Sequence, residues 1–268
     1  MAEDTETEGA APGEMTLIEH LTELRTRIIK SVLAVVLGAV VCLIFNQQII
    51  DILVEPYCQV LPELDNNDIV SESECRLYQR DPTEGFSLLF SIATYGGIAL
   101  AIPVILWQVW QFVVPGLYPH EKRYAVPFVV SGALLFAFGV GLGYWSMPRA
   151  LGFLLDLGGD SISELLSPGS YITFVIKMLV SFGIGFQFPL VLIFLQMIGV
   201  LNHETLKQGR RYATVGIVVL VAILTPSGDP ITLLVLSIPM YLFYEIAIIF
   251  GKLRSRREKK KQKAPTPA

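Results

Sequence analysis

Hydrophobic residues in this chain come in long blocks, and the polar residues between them are gathered into short connecting segments. No charged residue lies between Glu84 and Glu121, between Arg123 and Arg149, or between Lys177 and Glu204. Each gap exceeds the roughly 20 residues that a membrane-spanning helix needs. Six apolar runs follow: Ile28 to Phe45, Phe86 to Val114, Tyr124 to Met147, Tyr171 to Leu201, Tyr212 to Leu224 and Ile231 to Phe250. The fifth run is only about 20 Å of helix at ~1.5 Å per residue, against a hydrocarbon core about 30 Å thick. With the sixth it forms a hairpin across Thr225-Pro-Ser-Gly-Asp-Pro230. The pattern predicts an all-α membrane protein, a six-span helical bundle with short fifth and sixth helices that thin the bilayer or border a recess.

The polar segments refine this. Residues 1–14 are acidic and small, and read as a disordered tail rather than as a signal peptide, whose start would be basic and then apolar. Thr16 and Glu19 have capping-box spacing, and Leu17, Leu21, Leu24 and Ile28 continue at helical intervals, so a short amphipathic helix enters the membrane. A polar stretch from Asn46 to Glu84 and another around Ser167-Pro168-Gly169 connect spans. Gly139 and Gly143 have the GxxxG spacing that lets helices approach closely. The domain reading is a tail over 1–14, a transmembrane domain over 15–253 and a basic tail over 254–268.

Composition agrees: 53% of the 268 residues are hydrophobic and 16% charged, where soluble domains carry about 25% charged residues. A secreted soluble enzyme is excluded. Of the 20 Lys and Arg, 16 fall in segments on one side and four (Arg76, Arg80, Arg149 and Lys177) on the other. The positive-inside rule then places both termini in the cytoplasm. The run Lys252 to Lys263 reads as a topology-setting, solvated charge run, contact with anionic membrane lipid being the alternative, and nucleic acid binding has little support. Cys42 lies in the first span, whereas Cys58 and Cys75 fall in the outer polar stretch, where a bridge is expected, two free thiols being the alternative.

Motifs for catalysis are missing. The three His residues form no zinc-ligand pattern, and no Walker A, GxGxxG or GxSxG sequence is present, so neither enzyme chemistry nor a metal or other cofactor is expected. What remains are polar groups at or inside the lipid boundary, which are functional candidates by default. Glu23 on the entering helix and Glu121 at the start of the third span lie on the same side of the membrane. Their bland readings are an i,i+4 pair with Arg27 and a helix-dipole contact. Together they also suit guanidinium ligands, because carboxylate-to-Arg contacts can be bidentate. Gln187, near mid-span before Pro189, reads as a helix-to-helix hydrogen bond or as a partner site. Glu245 pairs with a nearby cation, and Lys177 snorkels.

Several strings resemble the TatC family, the signal-peptide receptor component of the twin-arginine protein translocase. They are His20-Leu-Thr-Glu-Leu-Arg-Thr-Arg27, Pro56, Trp110-Gln-Phe-Val-Val-Pro-Gly-Leu-Tyr-Pro-His-Glu-Lys-Arg123, Phe186-Gln-Phe-Pro189, Leu224-Thr-Pro226 and Ile238-Pro-Met-Tyr241. The resemblance implies recognition of signal peptides carrying two adjacent arginines and nucleation of an assembly that exports folded proteins, driven by the proton-motive force. It implies a place in the cell's inner membrane, self-association, and the single-span partners TatA and TatB. Signal-peptide contacts fall to Glu23 and Glu121, with Arg25, Arg27 and Phe112 on the same surface. Gln187, Pro56 and Asp229 form the candidate partner or intramembrane polar positions. Many members carry glutamate where this chain has Gln187, so a titrating carboxylate is not expected here. Two rival readings are a secondary transporter for small solutes, against which the absence of an internal repeat counts, and a membrane scaffold without cargo.

Overall fold

The computed structural model describes residues 17–64, 81–113, 125–158 and 167–262. The acidic tail, the Thr16 cap, Glu121 with Lys122 and Arg123, and Cys75 with Arg76 and Arg80 all lie outside the described residues. Among those described, every element is helical: α1 (Leu17–Ile44), α2 (Asn46–Leu64), α3 (Glu84–Val113), α4 (Ala125–Gly158), α5 (Pro168–Gly185), α6 (Phe188–Met197), α7 (His203–Gln208), α8 (Arg210–Leu224) and α9 (Pro230–Gln262). We call the side where α1 begins the N-terminal face and the opposite side, where α2 lies, the far face.

Five helical stretches, the fourth made of α5 and α6 together, are long and apolar enough to cross a membrane: Leu21–Ile44, Glu84–Phe112, Ala125–Leu157, Pro168–Met197 and Pro230–Ser255. The fifth apolar run forms α8, whose 15 residues extend about 22 Å at ~1.5 Å per residue, short of the hydrocarbon thickness. It nevertheless joins the two faces. Arg210 at its start meets Glu245 of α9, and Pro226 after its end reaches the far-face ends of α3 and α5. The expectation of a short sixth helix is corrected, because α9 runs for 33 residues. Its Arg, Lys, Glu and Gln residues beyond Phe250 are good helix formers and prolong the helix out of the apolar segment.

The polar stretch after α1 is also a helix. Ile49, Leu53, Tyr57 and Val60 recur at helical spacing, and the last three are buried. Pro56 has no backbone N–H, so the Ile52 carbonyl loses its helical donor. The Tyr144 hydroxyl of α4 donates to that carbonyl at 2.9 Å, and the Tyr171 hydroxyl of α5 donates to the Leu53 carbonyl at 2.9 Å. Burial pushes the Tyr57 phenol, which leans on the Tyr171 ring, above its ordinary value. α2 is thereby pinned across the far face.

Glycines decide the two closest helix contacts. A Cβ on Gly97 of α3 would stand 2.7 Å from the Val35 carbonyl of α1, and one on Gly38 would stand 2.8 Å from the Gly97 carbonyl. Gly139 and Gly143 of α4 do the same against Phe182 of α5, whose carbonyl lies 2.7 Å from a Cβ on Gly139. The GxxxG expectation thus becomes the α4–α5 seam. Behind it, Met178 and Phe182 of α5 and Phe186 just after its end join Met147 of α4 and Leu236 and Met240 of α9 in the buried core. By contrast, α1 leaves Val32, Leu33, Val36, Leu37 and Val40 exposed. In water such a face would aggregate; in lipid it is solvated.

Candidate functional site at the N-terminal face

α1 carries the first candidate residues past the end of α3. The Glu23 carboxylate accepts from Arg27 Nη2 at 2.9 Å, the i,i+4 pair that the spacing suggests. Arg27 also reaches 84 positions along the chain, where its Nη1 donates to Gln111 Oε1 and lies 3.4 Å from Gln108 Oε1. One guanidinium therefore ties the Glu23 carboxylate to the last turns of α3. The Glu23 and Arg27 side chains keep 20% and 22% of their exposure, so the pair is shielded but reachable. Arg25 is exposed, two residues from Arg27, and so stands on another side of α1. Phe112, half-buried and engaged by a neighbour, follows Gln111 on α3.

The structure thus brings together Glu23, Arg27 and the α3 turn that holds Phe112, and it leaves Arg25 apart. Gln108 and Gln111 escaped the sequence reading. Their signal was two amides three residues apart at the end of an otherwise apolar helix. Behind them Trp110 is buried, its ring 4.7 Å from Phe128 of α4 and 6.0 Å from Phe194 of α6. This aromatic wedge fixes the end of α3 against two other helices.

Gln187 occupies the break between α5 and α6. Its N–H donates to the Ile184 carbonyl at 2.9 Å, a tightened last turn, and Pro189 cannot continue the ladder. The side-chain Nε2 donates to the Gly132 carbonyl of α4 at 2.9 Å. Its buried Oε1 has no partner among the described residues. The helix-to-helix reading of Gln187 is therefore realised, with one acceptor left over.

Pro56 and Asp229 have structural work. Pro56 frees the carbonyl that Tyr144 occupies. Asp229 is buried and caps α9, accepting from the Thr232 N–H at 2.8 Å and the Thr232 hydroxyl at 2.5 Å, with Pro230 at the first helical position. Cys58 is disulfide-bonded, and Cys42 is a free buried thiol against Gly96. Glu245 is paired with Arg210 at 2.6 Å. Lys177 is exposed, with its side chain in a far-face recess.

A helical bundle with several helices able to cross lipid, apolar outer faces and a carboxylate–guanidinium–amide network at one end is the architecture of a multi-pass membrane protein with one polar end. Comparison with known proteins narrows that class. The family described as Sec-independent protein translocase protein (TatC) matches residues 19–239. The TatC protein of Deinococcus radiodurans is 32% identical over 261 residues, covering 96% of this chain and 94% of the relative. That of Aquifex aeolicus is 40% identical over 253 residues, covering 93% of this chain and all of the relative. A crystal structure of the twin arginine translocase receptor TatC superposes with a TM-score of 0.70 at 39% identity, covering 88% of this chain and all of the other. The chain belongs to the TatC family of Sec-independent protein translocase components, membrane proteins that serve protein transport.

Proposed function

We propose that this protein is the receptor subunit of a twin-arginine translocase. It takes up signal peptides bearing two adjacent arginines at the N-terminal face and nucleates the assembly that exports folded proteins. The observation that carries this reading is the Glu23–Arg27–Gln111 network, a carboxylate already arranged to hold a guanidinium at the mouth of the bundle. An incoming arginine shares the two oxygens of the Glu23 carboxylate with Arg27, which Gln108 and Gln111 hold in place so that Arg27 positions Glu23 for it. Glu121 supplies the second carboxylate, and Arg25 and Phe112 belong to the same cytoplasmic surface. The similarity to the twin arginine translocase receptor supports the substrate class.

In the same reading the protein sits in the inner membrane with both termini cytoplasmic, its translocating domain covering residues 15–253. It self-associates and works with TatA and TatB under the proton-motive force. Gln187 contributes a spare hydrogen-bond acceptor to a partner helix and carries no proton. Cys58 bridges to Cys75, a pairing supported by the free state of Cys42; a bridge over that loop adds about 3 kcal/mol.

Binding of a twin-arginine peptide and its twin-lysine variant to the full chain in lipid nanodiscs tests the reading. The arginine peptide should bind about tenfold or more tightly, since lysine lacks the planar fork. E23Q and E121Q should abolish that preference. Equal affinity for both peptides, or an unaffected E23Q/E121Q double variant at equal abundance, refutes the clamp.

A further inference from the structure

Arg27 and Arg210 each face a carboxylate, and Arg149 of α4 makes no ion pair among the described residues. Its Nη1 donates to the Trp145 carbonyl at 2.9 Å, and its guanidinium carbon stands 4.0 Å from the centroid of the Trp145 ring. The other N–H donors of the fork are left to something else. Arg149 lies within the apolar stretch Ala125–Leu157, where a charge is costly unless something compensates it.

The place of Arg149 on α4 says what can meet it. Val130, Leu134, Phe138, Gly141 and Trp145 are exposed and recur at intervals of four, four, three and four, and Arg149 continues the series. They form one lipid-facing stripe. Snorkelling would carry the guanidinium toward the far end of α4. Instead it lies over Trp145, one turn nearer the N-terminal face, the direction in which helical side chains lean. Beside it a recess of about 730 Å³ opens between α2 and α4, with Gln59 and Val60 on one wall and Tyr144 and Gly152 on the other. A Cβ on Gly152 would meet only Val60, at 4.0 Å. The Gln59 side chain is exposed and makes no hydrogen bond among the described residues. Glu55 Oε2 lies 3.2 Å from the Tyr144 hydroxyl, and Glu55 does not line the recess. α2 therefore presents a polar edge at the level of Tyr144, which marks the depth at which headgroups begin.

We propose that this recess binds the phosphodiester of a phospholipid from the far leaflet. The Arg149 fork, set in place by the Trp145 carbonyl and ring, holds two phosphate oxygens, and the Gln59 amide donates from the α2 wall. The acyl chains run along the stripe past Trp145 toward Phe138. Because the stripe faces lipid, a lipid phosphate is the anion that reaches this guanidinium. Phosphate is common to the phospholipid headgroups, so the site selects lipids with a phosphate over lipids without one.

The test is lipid retention by the full chain in detergent micelles, read by native mass spectrometry with phosphatidylglycerol, phosphatidylethanolamine and a glucosyl diacylglycerol in equal amounts. Lys207 and Arg211 at the N-terminal face also attract phospholipid, so the site is read by difference. R149Q should retain one phospholipid fewer than the wild type, and K207Q should retain the full number. R149K, which keeps the charge and loses the fork, should hold that lipid several-fold more weakly. Neither phospholipid should be favoured over the other at this position, and both should exceed the glycolipid about tenfold, the scale of one charge-assisted hydrogen bond. Phosphatidylglycerol with a photoreactive group beside its headgroup should label peptides spanning 145–152 or 55–60 in the wild type and not in R149Q. The lipid-free thermal midpoint of R149Q should match that of the wild type, because the guanidinium bonds only within α4. An unchanged lipid count in R149Q, labelling that survives R149Q or falls only elsewhere, equal retention of the glycolipid at this position, or displacement of the lipid by inorganic phosphate would each overturn the proposal.

Discussion

Arg27 has three partners on two helices, and no other basic side chain fits all three. A lysine keeps the charge but offers a single ammonium in place of the fork, so it cannot hold Glu23 and both glutamines at once. R27K is therefore expected to lower twin-arginine peptide affinity several-fold. Stability should change by less than ~1 kcal/mol, because the ion pair is partly exposed. Peptide titration and thermal unfolding of the same sample separate the two effects; unchanged affinity would mean that Arg27 does not position Glu23. The far-face tyrosines offer a stability prediction of the opposite kind. Y171F leaves the buried Leu53 carbonyl without its side-chain donor and should cost about 1–3 kcal/mol. Y144F should cost less, since that hydroxyl lies in a half-exposed position. Equal losses would show that burial of the hydroxyl does not set the cost of losing these donors.

At the scale of elements, the α1–α3 contact rests on glycine backbones. Adding even a methyl group at Gly97 meets the Val35 carbonyl and Ala39 backbone within 3.0 Å, and backbone atoms cannot rotate away as a side chain can. G97A should lower the thermal midpoint and loosen α1 from the bundle. G141A, where nothing lies within 4 Å of the new atom, should be neutral or slightly stabilising, because alanine is the better helix former. If the two variants unfold alike, the seam does not set stability. This seam was not legible in the sequence: Gly38 and Gly97 stand 59 positions apart with no shared motif. Gly139 and Gly143 were legible because their spacing lies on one helix. α2 was missed for a different reason. Asn46, Gln47, Gln48 and Asp51 lower its hydrophobicity below that of a span, and its burial stripe is seen only once the far face has something to pack against it.

For the whole molecule, the geometry turns on α8, the 15-residue helix that we propose as a sixth crossing. α8 joins the N-terminal face to the far face, and the Arg210–Glu245 pair ties its start to α9. Five crossings would place the termini on opposite sides of the membrane, and six place them on the same side. Single cysteines introduced at Glu14 and Ala264, in a background with the native cysteines replaced, should react with an impermeant thiol reagent only from the cytoplasmic side. One at Ser170 should react only from the other side. Reactivity of the two terminal positions from opposite sides would mean that α8 does not complete a crossing.

The sequence by itself determined the class of molecule and where lipid touches it. A hydrocarbon layer tolerates only long uncharged stretches whose backbone bonds are satisfied within the segment, and that demand is written locally, residue after residue. It also placed Glu23 beside Arg27 and Gln187 beside Pro189 within a span, because both depend on neighbours within one or two turns. Tertiary structure alone decided that Arg27 reaches Gln108 and Gln111, that Tyr144 and Tyr171 pin α2, and that Lys177 shares a recess with Asp81 and Glu84. These contacts join residues on different helices. Their partners are chosen by how close glycine lets two backbones come and by the angle at which each helix then crosses its neighbour, which no local pattern records.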